Sequence, residues 1–208
     1  MLLGLGLLLV DAGCASRPAE TSGGSAPSRV EMMTSRGAIV IELDPARAPV
    51  TVANFLDHAR AGHYDGTIIH RVVPGFVIQG GGWTPDLVER ARLDAKAGRP
   101  DALIRNEWRT SGLMNRRGTI AMARETDPDS ATREFFINLA DNVKLDTPRE
   151  VSGGAGYAVF GRVVAGMEVV DAIAGVATRP RPETGVEDGS MNHVPVESVV
   201  VMSVREVE

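Results

Sequence analysis

The 208-residue chain holds a single cysteine, Cys14, which excludes a disulfide framework and any cysteine-rich zinc site. Aromatic residues make up only 4% of the chain. A basic excess is missing too: 22 Lys and Arg against 27 Asp and Glu leave a net charge of −5. Without a basic stripe, no nucleic-acid partner is expected. The apolar run of residues 2–10 is interrupted by Gly4 and Gly6 and is too short to span a bilayer core. Phosphate-cradling loops ending in Gly-Lys-Ser/Thr, nucleophile elbows and His-Glu-x-x-His zinc helices are all absent from the sequence. The four histidines, His58, His63, His70 and His193, are scattered, a spacing more typical of structural or exposed rings than of ligands. What is present is an ordinary apolar content of 43% with 23 Gly and 12 Pro. That balance favours a turn-rich, β-rich body over a helix bundle.

The N-terminus reads as a targeting segment. An apolar run followed by Ala12, Gly13, Cys14, Ala15 and Ser16 fits a secretory signal over residues 1–13. Cys14 stands where a bacterial lipoprotein signal places its acylated residue. Asp11 and the lack of a basic residue before the run depart from that pattern. Two acyl chains on Cys14 would tie the protein to a bilayer, at about 0.8 kcal/mol per buried CH₂. Of the 14 residues 15–28, 12 are Ala, Ser, Pro, Gly or Thr, so 15–29 is expected as a flexible tether and 30–208 as the folded domain.

In that domain, alternation predicts a hairpin of residues 30–34 and 38–43 and further strands at 67–73, 76–79, 119–122, 134–139, 158–164 and 196–207. Pro49 opens a helix carrying Val52, Phe55, Leu56 and Ala59, with Gly62 as its stop. Gly166 opens a second, with Met167, Val170 and Ile173. The expected fold is mainly β: a closed eight-stranded antiparallel barrel capped by two α-helices. Residues 84–98 break the rhythm and read as a short helix, with Leu87, Val88, Ala91 and Ala95 on one side, on a solvated excursion. Gly80–Gly82 read as a bulge or turn after a strand, since no lysine follows them.

The informative run is Ile-His-Arg-Val-Val-Pro-Gly-Phe-Val-Ile-Gln-Gly-Gly, residues 69–81. An arginine among Ile and Val in a strand is costly to bury without a partner. Ala-Met-Ala-Arg at 121–124 and Glu-Phe-Phe-Ile-Asn at 134–138 follow, then Val-Phe-Gly-Arg-Val at 159–163. In order and spacing these segments resemble the cyclophilin family of peptidyl-prolyl cis–trans isomerases, in particular its bacterial secreted branch, over about residues 30–207.

The resemblance implies a shallow proline groove on the outer face of the barrel. Arg71 would be the catalytic guanidinium, and Phe76, Phe136 and Leu145 the seat for a proline ring. Val77 and Ala123 would line the groove, Gln79 would bond the substrate backbone, and Tyr157 falls where many relatives carry His. Glu134 replaces the usual Gln; a carboxylate there is expected to reach Arg71. Lys144 stands where relatives that bind cyclosporin tightly carry Trp. The activity implied is isomerisation of X–Pro bonds in envelope proteins, with no metal or cofactor. Proline-containing polypeptides would be the partners of a monomer whose only membrane contact is its lipid anchor. The implied location is the bacterial cell envelope, periplasmic or membrane-anchored. The alternative is a proline-peptide scaffold or holdase with weak isomerase activity. A lipocalin-like ligand barrel would leave these motifs as coincidence.

Overall fold

The computed structural model describes residues 28–98, 100–186 and 189–208. The expected signal segment, Cys14 and the tether up to residue 27 lie outside the described residues, while Ser28 and Arg29, expected to end the tether, begin the first strand. In chain order the elements are β1 (Ser28–Thr34), β2 (Gly37–Leu43), α1 (Pro49–Arg60), β3 (Thr67–Val73) and β4 (Val77–Trp83). There follow α2 (Arg90–Lys96), α3 (Trp108–Ser111), β5 (Thr119–Met122), β6 (Phe135–Asn138) and β7 (Val159–Ala165). The chain ends with α4 (Met167–Ala174), the short strands β8 (Thr178–Arg179) and β9 (Val194–Pro195), and β10 (Val199–Val207).

Eight strands close into an antiparallel barrel in the order β1-β10-β3-β4-β6-β5-β7-β2, and β2 returns to β1 through the expected opening hairpin. Period-two patterning sets which side faces in. Val30 and Met32 on β1, and Ile39, Ile41 and Leu43 on β2, are buried in the barrel core. Helix α1 adds Val52, Phe55, Leu56 and Ala59 to that core, and α4 adds Val170 and Ile173. The phenylalanines and tyrosines divide into two groups. Phe55 packs on Tyr64, Phe135 and Phe160 with ring centroids 5.1, 6.0 and 5.2 Å away, while Phe76, Phe136 and Tyr157 belong to a separate cluster outside the barrel.

Helix α1 begins at Pro49 as its sequence requires, but Ala48 before it offers no side-chain cap. Its first N–H groups are satisfied from a distance. The buried Glu107 carboxylate accepts from Val50 N (3.1 Å), Thr51 N (2.8 Å) and Thr51 Oγ1 (2.7 Å). A negative charge there also meets the positive end of the helix dipole.

The structure corrects several boundaries. β4 runs on through Gly80–Gly82 to Trp83, with register shifts against β3 on either side of Ile69, so the three glycines form the bulged part of the strand. β10 starts at Val199, three residues later than expected. The excursion at 84–98 is helical only over Arg90–Lys96, because Leu87 takes a left-handed φ of 57°. Its expected apolar side is not its buried side: Val88 and Ala95 are exposed, Leu87 and Ala91 half-buried, and the residue the helix buries is Asp94. Asp94 Oδ2 accepts from Arg133 Nη1 at 2.8 Å. Arg133 is 1% exposed and also donates through Nε and Nη2 to Asp101. The excursion is therefore anchored to the barrel by a buried ion triad.

Candidate active site

β3, β4, β6, β5 and β7 are adjacent in the barrel, and their register aligns one row of residues across it. Arg71 pairs with Gln79, Gln79 with Phe136, Phe136 with Ala121, and Ala121 with Val159. On β4, Val77 joins the outer cluster while Ile78 joins the core; on β6, Phe136 lies outside while Phe135 and Ile137 lie inside. The same alternation that fills the barrel thus builds a second apolar cluster on its outer wall. Val77, Ala121, Phe136, Leu145 and Val159 form it, with Phe76, Leu113, Ala123 and Tyr157 packed against it. Phe76, Val77, Ala123, Phe136, Leu145 and Tyr157, named from the sequence, come together in this one cluster.

Arg71 stands at its edge. Its guanidinium carbon lies 5.8 Å from the Phe76 ring centroid, and its Nη1 donates to Gln79 Oε1 at 3.3 Å. Tyr157 meets Phe136 edge-on at 5.7 Å and is itself covered by the Arg124 guanidinium at 4.5 Å. Lys144 Nζ sits 4.2 Å above the Phe76 ring, a cation–π contact on the seat itself.

Glu134 reaches the site but not by the expected contact. Its Oε2 accepts from Gln79 Nε2 at 2.8 Å and lies 3.6 Å from Nε2 of the buried His70. The Gln79 amide occupies the place between the carboxylate and Arg71, so the expected Glu134–Arg71 ion pair is replaced by a chain of three side chains. Room for the carboxylate comes from Gly82, where a Cβ would sit 1.8 Å from Glu134 Oε1.

Sequence reasoning missed the polar network that supports Leu145. Asp146 Oδ1 accepts from Asn115 N and Nδ2 at 2.9 and 2.7 Å. Asn138 donates to Asn115 at 3.0 Å, and Asn142 donates to Asn138 at 2.8 Å and to the Phe76 carbonyl at 2.9 Å. These amides tie the Leu145 turn to the β4 hairpin. The only local signal was the buried-strand position of Asn138; the others lie in loops. Beside the seat, Gln79, Ala123 and Glu134 also line a cleft of about 550 Å³, walled by Leu87, Val88 and Glu89 of the excursion and by residues 184–186. The excursion thus borders the site, which the reading of 84–98 as mere surface did not anticipate.

The family model for cyclophilin-type peptidyl-prolyl cis–trans isomerases matches residues 29–205. A peptidyl-prolyl cis–trans isomerase of Streptomyces antibioticus is 50% identical over 178 residues, 86% of this chain and 98% of the relative. Peptidyl-prolyl cis–trans isomerase B of Escherichia coli is 46% identical over 175 residues, 84% of this chain and 97% of the relative. Among solved structures, a cyclophilin-type isomerase of Cryptosporidium parvum superposes with a TM-score of 0.65 at 22% identity, covering 88% of this chain and 98% of that one, a likeness of fold. With its barrel, its outer apolar cluster and these relatives, the chain belongs to the cyclophilin-type peptidyl-prolyl cis–trans isomerase family.

Proposed function

We propose that the chain isomerises X–Pro peptide bonds at the outer cluster, with Arg71 as the catalytic group. The observation that carries this reading is the row Arg71–Gln79–Phe136 on three adjacent strands, which sets a fixed cation beside an apolar seat. Amide resonance opposes rotation by about 18–20 kcal/mol, and unaided X–Pro exchange takes roughly tens to hundreds of seconds. At the twisted transition state the prolyl nitrogen loses resonance and gains a lone pair. An N–H of Arg71 aimed at that nitrogen stabilises the twisted form over either planar form, which is what acceleration requires. Phe76, Phe136 and Leu145 hold the ring, Val77, Ala123 and Tyr157 border it, and Gln79 bonds the substrate backbone while the acyl side turns. Flanking residues of the polypeptide run into the cleft beside Glu134. Arginine suits the role because it stays charged and its donors form a rigid fork. The step makes and breaks no covalent bond.

The test is isomerisation of a proline peptide by wild type and Arg71→Ala. A loss of about 10²-fold in kcat/KM is expected, the scale for removing one transition-state donor. Equal rates would leave the scaffold reading in place. The envelope location, with proline-containing envelope proteins as substrates and Cys14 as the lipid anchor, belongs to the same proposal. It is supported by the sequence of residues 2–16, and fatty-acid labelling that survives Cys14→Ser would remove it.

A further inference from the structure

We propose that His58, His63 and Asp101 form a site for a divalent cation, with zinc the ion its donors suit. His58 and His63 are five residues apart, Asp101 is distant from both in the chain, and none lines the proline groove. His58 closes the last turn of α1, and the chain then reverses through Gly62, whose φ of 69° is left-handed. The reversal is fixed by a hydrogen bond from His63 N to the His58 carbonyl at 2.9 Å. It brings the two rings to 5.1 Å between centroids and their Nδ1 atoms to 2.8 Å. Asp101 arrives from beyond α2, and one ligand atom from each residue lies within 4.8 Å of the other two.

Two imidazole nitrogens and one carboxylate oxygen are borderline-to-hard donors, the set that zinc shares in sites keeping a fourth position for water. Zinc distances of about 2.0–2.2 Å place tetrahedral ligand atoms roughly 3.3 Å apart. The Nδ1 pair need open only slightly, and Asp101 need close slightly, without backbone movement. Without an ion one Nδ1–H donates to the other Nδ1. A bound ion would take the place of that hydrogen between the two Nδ1 atoms.

The surrounding charges are accounted for. Asp101 and Asp57 act on His58 as anions, and Arg133 opposes them. Arg133 is shared by two carboxylates, Asp94 and Asp101, and Arg90 also reaches Asp94 at 3.3 Å, so those four groups carry no net charge. Arg133 occupies lone pairs of Asp101 on one side and orients the carboxylate, as outer hydrogen bonds do for metal ligands. A bound ion would clamp the end of α1 to the segment that follows α2.

The experiment uses the full chain stripped with EDTA and then transferred to chelator-free buffer. Zinc chloride is titrated by calorimetry, and Tm is followed with and without zinc. One equivalent should bind with a Kd of about 1 µM or tighter, and Tm should rise with zinc as for any ligand specific to the folded state. His63→Ala and Asp101→Asn should each weaken binding about tenfold or more and abolish the Tm rise. Circular dichroism confirms folding, so that if one variant unfolds the other decides. No heat and no Tm rise in wild type, or wild-type affinity in a folded variant, overturns the site.

Discussion

The Gln79 amide is held between opposites: Nε2 donates to Glu134 Oε2 at 2.8 Å, and Oε1 accepts from Arg71 Nη1 at 3.3 Å. An ionised carboxylate only accepts and a guanidinium only donates, so together they fix which way the amide points. Gln79 is thereby pre-set beside the seat, between Glu134 and Arg71.

Glu134→Gln should consequently leave kcat/KM within about threefold of wild type, because the new side chain still offers Gln79 an acceptor. Glu134→Ala should lower it about fivefold, the scale of one hydrogen bond worth ~1 kcal/mol. Steady-state isomerisation at neutral pH checks both. A tenfold rise in Glu134→Gln would instead reveal a carboxylate competing for Arg71.

Lys144 gives a second expectation. Its ammonium lies on the face of Phe76, where the resemblance expects an aromatic wall for the N-methylated, apolar peptide cyclosporin. A hydrated cation must be displaced before such a ligand can seat. Wild type should be feebly inhibited, and Lys144→Trp should tighten inhibition by about tenfold or more while activity is kept. A nanomolar inhibition constant for wild type contradicts this.

How far these features could be read in advance depended on whether they were local. The β1–β2 hairpin, α1 and the β3–β4 pair were legible because their periodicity and turn residues lie within a few positions of one another. Period-two alternation separates Phe136 from Phe135 in the barrel, but which of the two faces the groove came from the family resemblance. Glu134 failed at the last step: strand parity put it on the right face, but only the packing shows Gln79 between it and Arg71. The buried face of α2 was misjudged because its partner, Arg133, lies 39 residues from Asp94, and an ion triad leaves no hydrophobic periodicity to read. His58 and His63 looked scattered because their meeting depends on the helix end and the Gly62 reversal.

Glu107 caps α1 from 56 residues away, so a change there should act as a helix-start defect. Glu107→Ala leaves two backbone N–H groups and the Thr51 hydroxyl without their acceptor. The expected loss is about 2 kcal/mol. Urea unfolding should show a lower midpoint with an unchanged slope. Glu107→Gln should recover part of the loss. An unaltered midpoint in Glu107→Ala would show that the cap contributes nothing.

His58 sets a pH dependence of stability whose sign follows from its burial. Its pKa falls from 6.5 to about 4 on folding, so between those values the unfolded chain binds the extra proton. Stability therefore rises with pH through that window: the contribution is complete above about 6.5 and is lost as pH falls toward 4. A displacement of that size corresponds to a few kcal/mol, on the order of 1.4 per unit. The carboxyls that Arg partners hold below their usual range, Glu42 beside Arg162 and Glu206 beside Arg60, lose their contribution at lower pH, which keeps the windows apart. Urea midpoints from pH 7.5 to 4.5, measured in EDTA so that no cation intervenes, should decline in wild type between pH 6.5 and 5. His58→Gln, which cannot titrate, should be flat over that interval. Parallel declines in both proteins would assign the pH dependence to other groups.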